Sequence, residues 1–503
     1  MKKVINILKQ HKKMTLTIIY SFIFILYVIM PVCFDTKIYL GAAYQADLIG
    51  SFPINLLEAW EHKLVLNRFF FYFIYKIVKI FVDPNNFLIF EMIVKLIYGL
   101  ISVLVIKIFT KSTKEFFKEF NISKNIVFAS LYLTTMFTDI YFNMQTETTG
   151  LLILLISIVL VLKKKTIYKI IAAFLISSLF FLKGVTLLYA VIVLVVMILN
   201  KQNKKEIAFT IITSIGFLIL ELIGLYIIYP KEIIRIYLSS NYITSSWETC
   251  NLLQFIFYNM LKSTYLLIGI ICLIYNFICY TKTKNIKLLL IEVLTWTLLI
   301  IGIYIQKMRY LYQIALIMPA CLLSFYISIY YIKNKVVTLK KYVKIIMAYL
   351  ILVITFIMIL ICIEESIQIY ITTKNNEQIV KELKREIPDL TENEMLYIGN
   401  GLSAYYIKTK SYINYTTTIY LSNDNEIYKN SEHVKELKKK IKQYTGKYII
   451  VDDEEMQKKR RISDDIIKFI NENYDYLQSS GIMIYESKQP NLECQYSSIY
   501  IKK

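Results

Sequence analysis

Long runs of uncharged, mainly aliphatic residues alternate with short basic stretches through the first 363 residues of the chain. The first run, Met14–Cys33, contains no charged side chain. A helix needs about 20 such residues to cross the hydrocarbon core of a bilayer. We therefore predict about eleven membrane spans, at Met14–Cys33, Phe87–Phe109, Asn125–Asp139, Thr148–Leu162, Thr166–Leu182, Val185–Asn200, Ile207–Tyr229, Ser263–Thr281, Leu288–Gln306, Tyr310–Ile332 and Ile345–Ile363.

One further apolar segment, Asn67–Val82, has a different pattern. Its polar side chains recur at i, i+4, i+8 and i+11, which places them on one face of a helix. They are Arg68, Tyr72, Lys76 and Lys79. Aromatic and aliphatic side chains occupy the opposite face, as is typical of an amphipathic helix that lies in the membrane interface.

The basic residues between the apolar segments predict the orientation of the chain. With 67–82 on the surface, the predicted inner loops hold 24 Lys and Arg residues, whereas the longer outer loops before residue 364 hold 11. Positively charged loops remain on the cytoplasmic side of a membrane. We therefore predict a cytoplasmic N-terminus, a long first outer loop at 34–85, and a C-terminal region outside the cell membrane.

The C-terminal region, 364–503, differs in composition from the membrane part. It carries 21 basic and 22 acidic residues, against 37 and 15 in residues 1–363. Short β-rich segments, such as Met395–Ile398 and Lys447–Val451, alternate with charged helical stretches. We predict a mainly α fold: a polytopic transmembrane bundle over 1–363 and a small external α/β domain over 364–503.

Composition excludes several classes of protein. The chain is 56% hydrophobic with a mean hydropathy of +0.51, which is inconsistent with a disordered or a purely soluble protein. Its net charge of +21 is concentrated between apolar segments, so we predict no nucleic-acid partner. Seven scattered cysteines form no CxxC motif and no Cys/His cluster, and we predict neither a metal site nor a cofactor.

Acidic residues on the outer side are the candidates for catalysis. Asp35 directly follows the first span, where a partly desolvated carboxylate can act as a base toward a hydroxyl. The alternatives for Asp35 are a solvated loop carboxylate or an ion pair with Lys37. Asp47 and Glu147 are the other acidic candidates, although Glu147 also suits the start of a helix, where it favours the dipole.

Several cations are predicted at the outer ends of the spans. Lys183, Lys307 and Arg309 suit the phosphate of a lipid-linked substrate. The alternative is that these side chains extend to the lipid headgroups. Glu91 and Lys95, one turn apart within one span, are expected to neutralise each other.

The order of several short motifs along the chain resembles that of a known superfamily. The motifs are Asp35 with Tyr39, Trp60-Glu61-His62-Lys63 with Asn67-Arg68, Thr146-Glu147, Leu182-Lys183-Gly184-Val185, and Tyr397-Ile398-Gly399-Asn400 with Tyr405-Tyr406. They resemble the C-type superfamily of integral membrane glycosyltransferases, which includes protein mannosyltransferases and aminoarabinose transferases. Its members have a long first outer loop that starts with an aspartate, a bundle of spans and often an external α/β domain.

This resemblance implies transfer of a sugar from a polyprenyl-phosphate carrier to a glycan, lipid or protein acceptor at the outer face of the membrane. It implies that Asp35 is the catalytic base. The residues that it implies for the carrier phosphate are Lys63, Arg68, Lys183, Lys307 and Arg309. The Asp-x-Asp of some members is absent from the first loop, consistent with no metal.

Two other functions remain open from the sequence. A transporter or flippase of a lipid-linked saccharide would place charges along a central pathway and contain a structural repeat. A non-enzymatic membrane scaffold would keep Asp35, Glu147 and Arg68 apart. Convergence of these three residues around a pocket that opens to lipid would favour the enzyme.

Overall fold

The computed structural model describes residues 12–50, 64–136, 144–245, 251–260, 263–306, 311–334, 336, 341–399, 402–413, 430–452, 462–482 and 497–503. This part of the chain is mostly helical and contains one small sheet. The helices before residue 340 are α1 (Lys12–Ile29), α2 (Phe34–Ile49), α3 (Val65–Lys79), α4 (Phe87–Ser112), α5 (Lys114–Glu119), α6 (Lys124–Met136), α7 (Thr146–Val161), α8 (Thr166–Ser178), α9 (Ala190–Leu199), α10 (Lys204–Ile228), α11 (Pro230–Ser245), α12 (Leu252–Met260), α13 (Thr264–Thr283), α14 (Ile286–Ile305) and α15 (Met318–Lys333).

Several of these helices are long and apolar enough to cross a membrane. They are Phe87–Ser112, Lys204–Ile228, Tyr265–Thr283, Ile286–Ile305 and Gln313–Lys333. A sixth span results if α1 and α2, which meet at an angle of 64°, count as one broken helix. Other apolar helices have only 10 to 17 residues. The predicted membrane character is thus supported, whereas the number of eleven spans remains a prediction.

The predicted first outer loop begins with a helix. Residues 34–49 form α2, which buries ten of its residues and ends at Gly50 in the left-handed conformation, with φ of 81°. Proline lacks a backbone N–H and disfavours helix in the residue before it, so Pro31 accounts for the end of α1 at Ile29. The polar residues of α2 interrupt its apolar pattern, which explains why the sequence suggests a loop here.

Helix α3 occupies most of the predicted amphipathic segment. Phe71, Tyr75 and Val78 lie in the core of the bundle. The predicted polar face is divided, because Arg68 is buried whereas the Lys76 side chain is 48% exposed. The helix itself is therefore confirmed, and its location in the membrane interface remains a prediction.

A single long helix, α16 (Lys341–Glu386), leads into the C-terminal region. Its 46 residues span about 69 Å and pass the predicted boundary at residue 363 without a break. The next elements are β1 (Leu396–Ile398), α17 (Leu402–Ile407), α18 (Glu432–Lys442), β2 (Tyr448–Asp452), α19 (Asp464–Asn473), β3 (Tyr474–Ser479) and β4 (Ser497–Lys502). The strand order is β1-β2-β4-β3, in which only β1 and β2 are parallel.

The C-terminal region packs against α2 through α17 and the residues after it. Tyr44 donates a hydrogen bond to the backbone oxygen of Lys408 (2.8 Å), and the Gln45 amide donates to that of Thr409 (2.7 Å). Gln45 also accepts from the backbone N–H of Ser411 (3.0 Å). Two side chains of α2 thus satisfy three backbone groups of the C-terminal region, which defines how the two parts meet.

Lys408 anchors the same contact with its own side chain. Its ammonium lies over the rings of Phe87 (4.6 Å to the centroid), Tyr44 (5.4 Å) and Tyr405 (5.4 Å), and it donates to the backbone oxygen of Pro84. Burial lowers the pKa of Lys408 to about 7. This lysine therefore changes its charge near neutral pH while it is buried between the two parts.

We expect the contribution of Lys408 to stability to rise between pH 7 and pH 9. At pH values between about 7 and 10.5, Lys408 is mostly deprotonated in the folded chain and protonated in the unfolded chain. Unfolding then takes up a proton, so it becomes less favourable as pH rises. The slope for one such group is about 1 kcal/mol per pH unit. Thermal unfolding of the detergent-solubilised chain and of Lys408→Met at each pH measures it.

Lys410→Met is the matched control, because the Lys410 side chain is 57% exposed on the same segment. The wild type should gain stability relative to Lys408→Met as pH rises, and should gain none relative to Lys410→Met. A difference between wild type and Lys408→Met that stays constant from pH 7 to pH 9 would contradict this linkage.

Candidate functional site

Asp35 lies at the break between α1 and α2, in the first turn of α2. Its Oδ2 atom is buried and has no hydrogen-bond partner among the described residues. A carboxylate in this position is favoured by the dipole of the helix. Buried polar atoms in folded proteins are nearly always paired, so an unpaired carboxylate oxygen here indicates a place for a donor from outside the described chain.

The start of α7 is held against this break by Gln145. The Gln145 amide donates to Cys33 Sγ (3.1 Å), and its oxygen accepts from the Tyr39 hydroxyl (3.2 Å). Tyr39 in turn packs on Phe71 of α3, with 4.8 Å between ring centroids. The beginnings of α2 and α7 therefore meet, and α3 packs against the same side of α2.

Glu147, in the first turn of α7, forms a buried ion pair with Lys183. The Lys183 Nζ lies 2.6 Å from Glu147 Oε1, and the two side chains are 7% and 0% exposed. Thr146 donates to the other carboxylate oxygen (2.8 Å), and Tyr189 donates to the backbone oxygen of Glu147 (3.3 Å). The predicted acid and the predicted phosphate ligand are thus paired with each other.

Arg68, near the start of α3, is also buried in an ion pair. It contacts Glu232 of α11, whose second oxygen accepts from Arg235 (3.3 Å). Around this pair, Leu64 and Val65 form one apolar cluster with Phe181. Because Phe181 is two residues before Lys183, the start of α3 adjoins the segment that carries Lys183. Glu232 was not predicted, since only the tertiary structure brings α11 to α3.

Asp47 lies at the opposite end of α2 from Asp35. Twelve residues of helix separate the two carboxylates by about 18 Å. Asp47 forms ion pairs with Lys76, at 2.6 Å, and with Lys79 of α3. Asp47 therefore connects α2 to the exposed end of α3 and is far from Asp35. Three predicted phosphate ligands lie outside the described residues: Lys63, Lys307 and Arg309.

The expected pairing of Glu91 with Lys95 is wrong. Glu91 instead contacts Lys37 (3.4 Å), and it accepts from the Tyr405 hydroxyl (3.0 Å) and the backbone N–H of Val32 (3.3 Å). The break between α1 and α2 brings Lys37 and Val32 next to Glu91, and these contacts replace the intrahelical pair. They also show that Lys37 does not pair with Asp35, the alternative raised from the sequence.

An apolar cavity of about 100 Å³ lies elsewhere in the bundle. Its lining includes Phe109 of α4, Leu155 of α7 and Leu288 of α14, and contains no charged side chain. Phe109 is 18 residues after Glu91 on the same helix, so the cavity lies about 27 Å from the Asp35 region along α4. It does not belong to the candidate site.

Metal ions in proteins need a set of several ligand side chains that lie close together. Among the described residues, no group of three or more His, Cys, Asp or Glu side chains is arranged to hold a metal ion. The chain matches no protein-family model, no curated protein and no solved structure. The geometry of the site and the physical chemistry of its residues therefore indicate what it can do.

We expect Lys183→Met to destabilise the protein by about 3–5 kcal/mol, because it leaves the buried carboxylate of Glu147 without its partner. The double variant Lys183→Met/Glu147→Gln should recover much of this loss, since it removes both charges. Denaturant unfolding of the wild type, of Lys183→Met and of the double variant measures the loss and its recovery. Lys169→Met is the control: its partner, Glu206, has a side chain that is 36% exposed and is better hydrated.

The loss in Lys169→Met should be well below that in Lys183→Met. If the double variant were as unstable as Lys183→Met alone, the buried ion pair would not be the source of the effect.

Proposed function

We propose that this chain is a membrane glycosyltransferase that moves a sugar from a polyprenyl-phosphate carrier to an acceptor at the outer face of the cell membrane. The observation that carries the proposal is the Oδ2 of Asp35, which is buried and has no hydrogen-bond partner within the described ranges. Asp35 lies at the break between α1 and α2, which Gln145 contacts through Cys33. Gln145 is two residues before Glu147, which forms the ion pair with Lys183. A carboxylate with a free acceptor oxygen suits a general base.

In the proposed reaction, Asp35 takes the proton of an acceptor hydroxyl while the hydroxyl oxygen attacks the anomeric carbon of the sugar. The bond from that carbon to the phosphate oxygen breaks, and the carrier phosphate leaves with the electron pair. The anomeric configuration is inverted. Because phosphate is already a good leaving group, positioning of the reactants and stabilisation of charge account for most of the acceleration.

Arg68 and Lys183 are the described candidates for the carrier phosphate, and Lys63, Lys307 and Arg309 remain proposed with them. Each of the first two is paired with a buried carboxylate, so a phosphate must share the cation with that carboxylate or displace it. Asn67, beside Arg68, is fully buried, and its amide has no partner among the described residues. Such an amide suits a sugar hydroxyl.

We further propose the topology that this function requires. The N-terminus is cytoplasmic, about eleven spans form the domain 1–363, and residues 34–85 with α3 form the first outer loop. The domain 364–503 then lies outside the membrane. Two observations support this arrangement: the excess of basic residues in the predicted inner loops, and the contact of the C-terminal region with α2, which belongs to the same outer loop.

We expect Asp35→Asn to lower sugar transfer by at least about 100-fold, the usual contribution of a general base. The measurement uses membranes with matched amounts of each variant and a radiolabelled polyprenyl-phosphate sugar. Asp47→Asn is the matched control, because it makes the same change in the same helix at a carboxylate that is about 18 Å away and already ion-paired. That variant should retain transfer.

Equal activity of Asp35→Asn and wild type would remove Asp35 from the mechanism. If the folded wild type transferred no sugar from any polyprenyl-phosphate donor, the enzyme proposal would fail. A flippase of lipid-linked saccharides or a membrane scaffold would then be the better interpretation.

A further inference from the structure

Three buried polar atoms at the break between α1 and α2 have no hydrogen-bond partner among the described residues. They are Tyr27 Oη, Asp35 Oδ2 and Lys95 Nζ. Tyr27 is 1% exposed and Lys95 is 0% exposed. They come from the last turn of α1, the first turn of α2 and the third turn of α4. An unpaired atom on each of three adjoining elements points to a shared ligand.

Two of these groups lie against each other, and Cys33 connects them to the third. The Lys95 Nζ lies over the Tyr27 ring, 4.4 Å from its centroid. Cys33, the residue before α2, is close enough to interact electrostatically with Tyr27, with Lys95 and with Asp35. Glu91, one turn before Lys95, contacts Lys37 and interacts with the Lys95 ammonium only from beyond 4 Å.

Lys95 differs in this respect from three other buried lysines of the membrane part. Lys37, Lys169 and Lys183 each contact a carboxylate within 4 Å, whereas Lys95 lies over the face of an aromatic ring and has no carboxylate oxygen within 4 Å among the described residues. The face of a ring compensates only part of the charge of an ammonium, and it forms no ordinary hydrogen bond with any of the three N–H donors. Charged groups inside membrane helices are generally paired or functional.

The unmet groups define the chemistry of the ligand. Lys95 and the Tyr27 hydroxyl are donors, and the N-terminus of α2 favours negative charge, so together they suit an anionic oxygen. The free oxygen of Asp35 requires a hydroxyl donor. Lys95 is eight residues after the start of α4, about 12 Å along the helix. This distance from the end of an apolar helix suits a phosphate that is attached to a lipid more than a free anion.

We infer that Lys95, together with Tyr27, binds the phosphate of a lipid-linked substrate at the break between α1 and α2. This inference deepens the proposed function and rests on it for the identity of the substrate as a sugar carrier. Lys95 then places the phosphate near Asp35, the proposed base. Unlike Arg68 and Lys183, it needs no carboxylate to be displaced first.

The test measures binding to the purified full-length protein of farnesyl phosphate and of farnesol, which differ only in the phosphate. The wild type should prefer farnesyl phosphate. Lys95→Met should lose about 10- to 100-fold in affinity for farnesyl phosphate, the usual effect of one charged hydrogen bond, and keep its affinity for farnesol. Lys107→Met, an exposed change on the same helix, is the matched control and should keep the preference.

Thermal unfolding without ligand separates binding from a structural role. Because Lys95 has no carboxylate partner, Lys95→Met should unfold at the same or a higher temperature than wild type, whereas removal of a structural lysine would lower that temperature. A Lys95→Met variant that kept the preference for farnesyl phosphate, or that lost it only together with thermal stability, would overturn the inference.

Phosphatidate is the competing source of a lipid phosphate. If it displaced farnesyl phosphate at equal concentration, the region would be a headgroup site, and the assignment to a substrate carrier would be overturned. The binding test is independent of sugar transfer. If Lys95→Met lost the preference for farnesyl phosphate but the wild type transferred no sugar, only the proposed enzyme activity would be overturned. If Lys95→Met transferred sugar normally, only the role of Lys95 would be overturned.

Discussion

The buried ion pair between Lys37 and Glu91 is the interaction on which the rest of this structure depends. It joins α2 to α4 at the helix break, and both residues bind the C-terminal region as well: Tyr406 accepts from Lys37 (2.9 Å), and Tyr405 donates to Glu91. Thr373 of the long helix α16 also accepts from Lys37. A buried pair offsets the cost of removing two charges from water only when further hydrogen bonds satisfy both partners. Here these three bonds and the one from the backbone N–H of Val32 to Glu91 do so.

This pair also determines which charges remain for function. Because Glu91 contacts Lys37, Lys95, one turn further along α4, lies over an aromatic ring and has no carboxylate within 4 Å in the described part of the chain. By holding the start of α2, it leaves the Asp35 carboxylate at the break, with one oxygen buried and unpaired among the described residues. The same contact that stabilises the fold thus creates the unsatisfied acid and the unsatisfied cation from which the proposed mechanism is built.

Two other buried cations of the candidate site already form ion pairs with carboxylates. Lys183 is paired with Glu147, and Arg68 with Glu232. Such pairs orient α7 and α11 toward the α2–α3 region, because each leaves an uncompensated buried charge if it is broken. A substrate phosphate that met Lys95 first would find a cation with no competing carboxylate, and Arg68 and Lys183 could then adjust their existing pairs around it.

The sequence by itself determined the membrane character, the presence of helix α3 and the mixture of helix and strand in the C-terminal region, because hydrophobic periodicity and charge distribution are local properties. It also identified Asp35, Glu147, Arg68 and Lys183 as outer-side candidates. Only the tertiary structure decided which charged residues are partners. Glu91 contacts Lys37 and not Lys95, and Asp47 lies about 18 Å from Asp35. Ion pairs between segments as distant as α3 and α11 depend on how helices pack, and spacing along one chain carries no information about that packing.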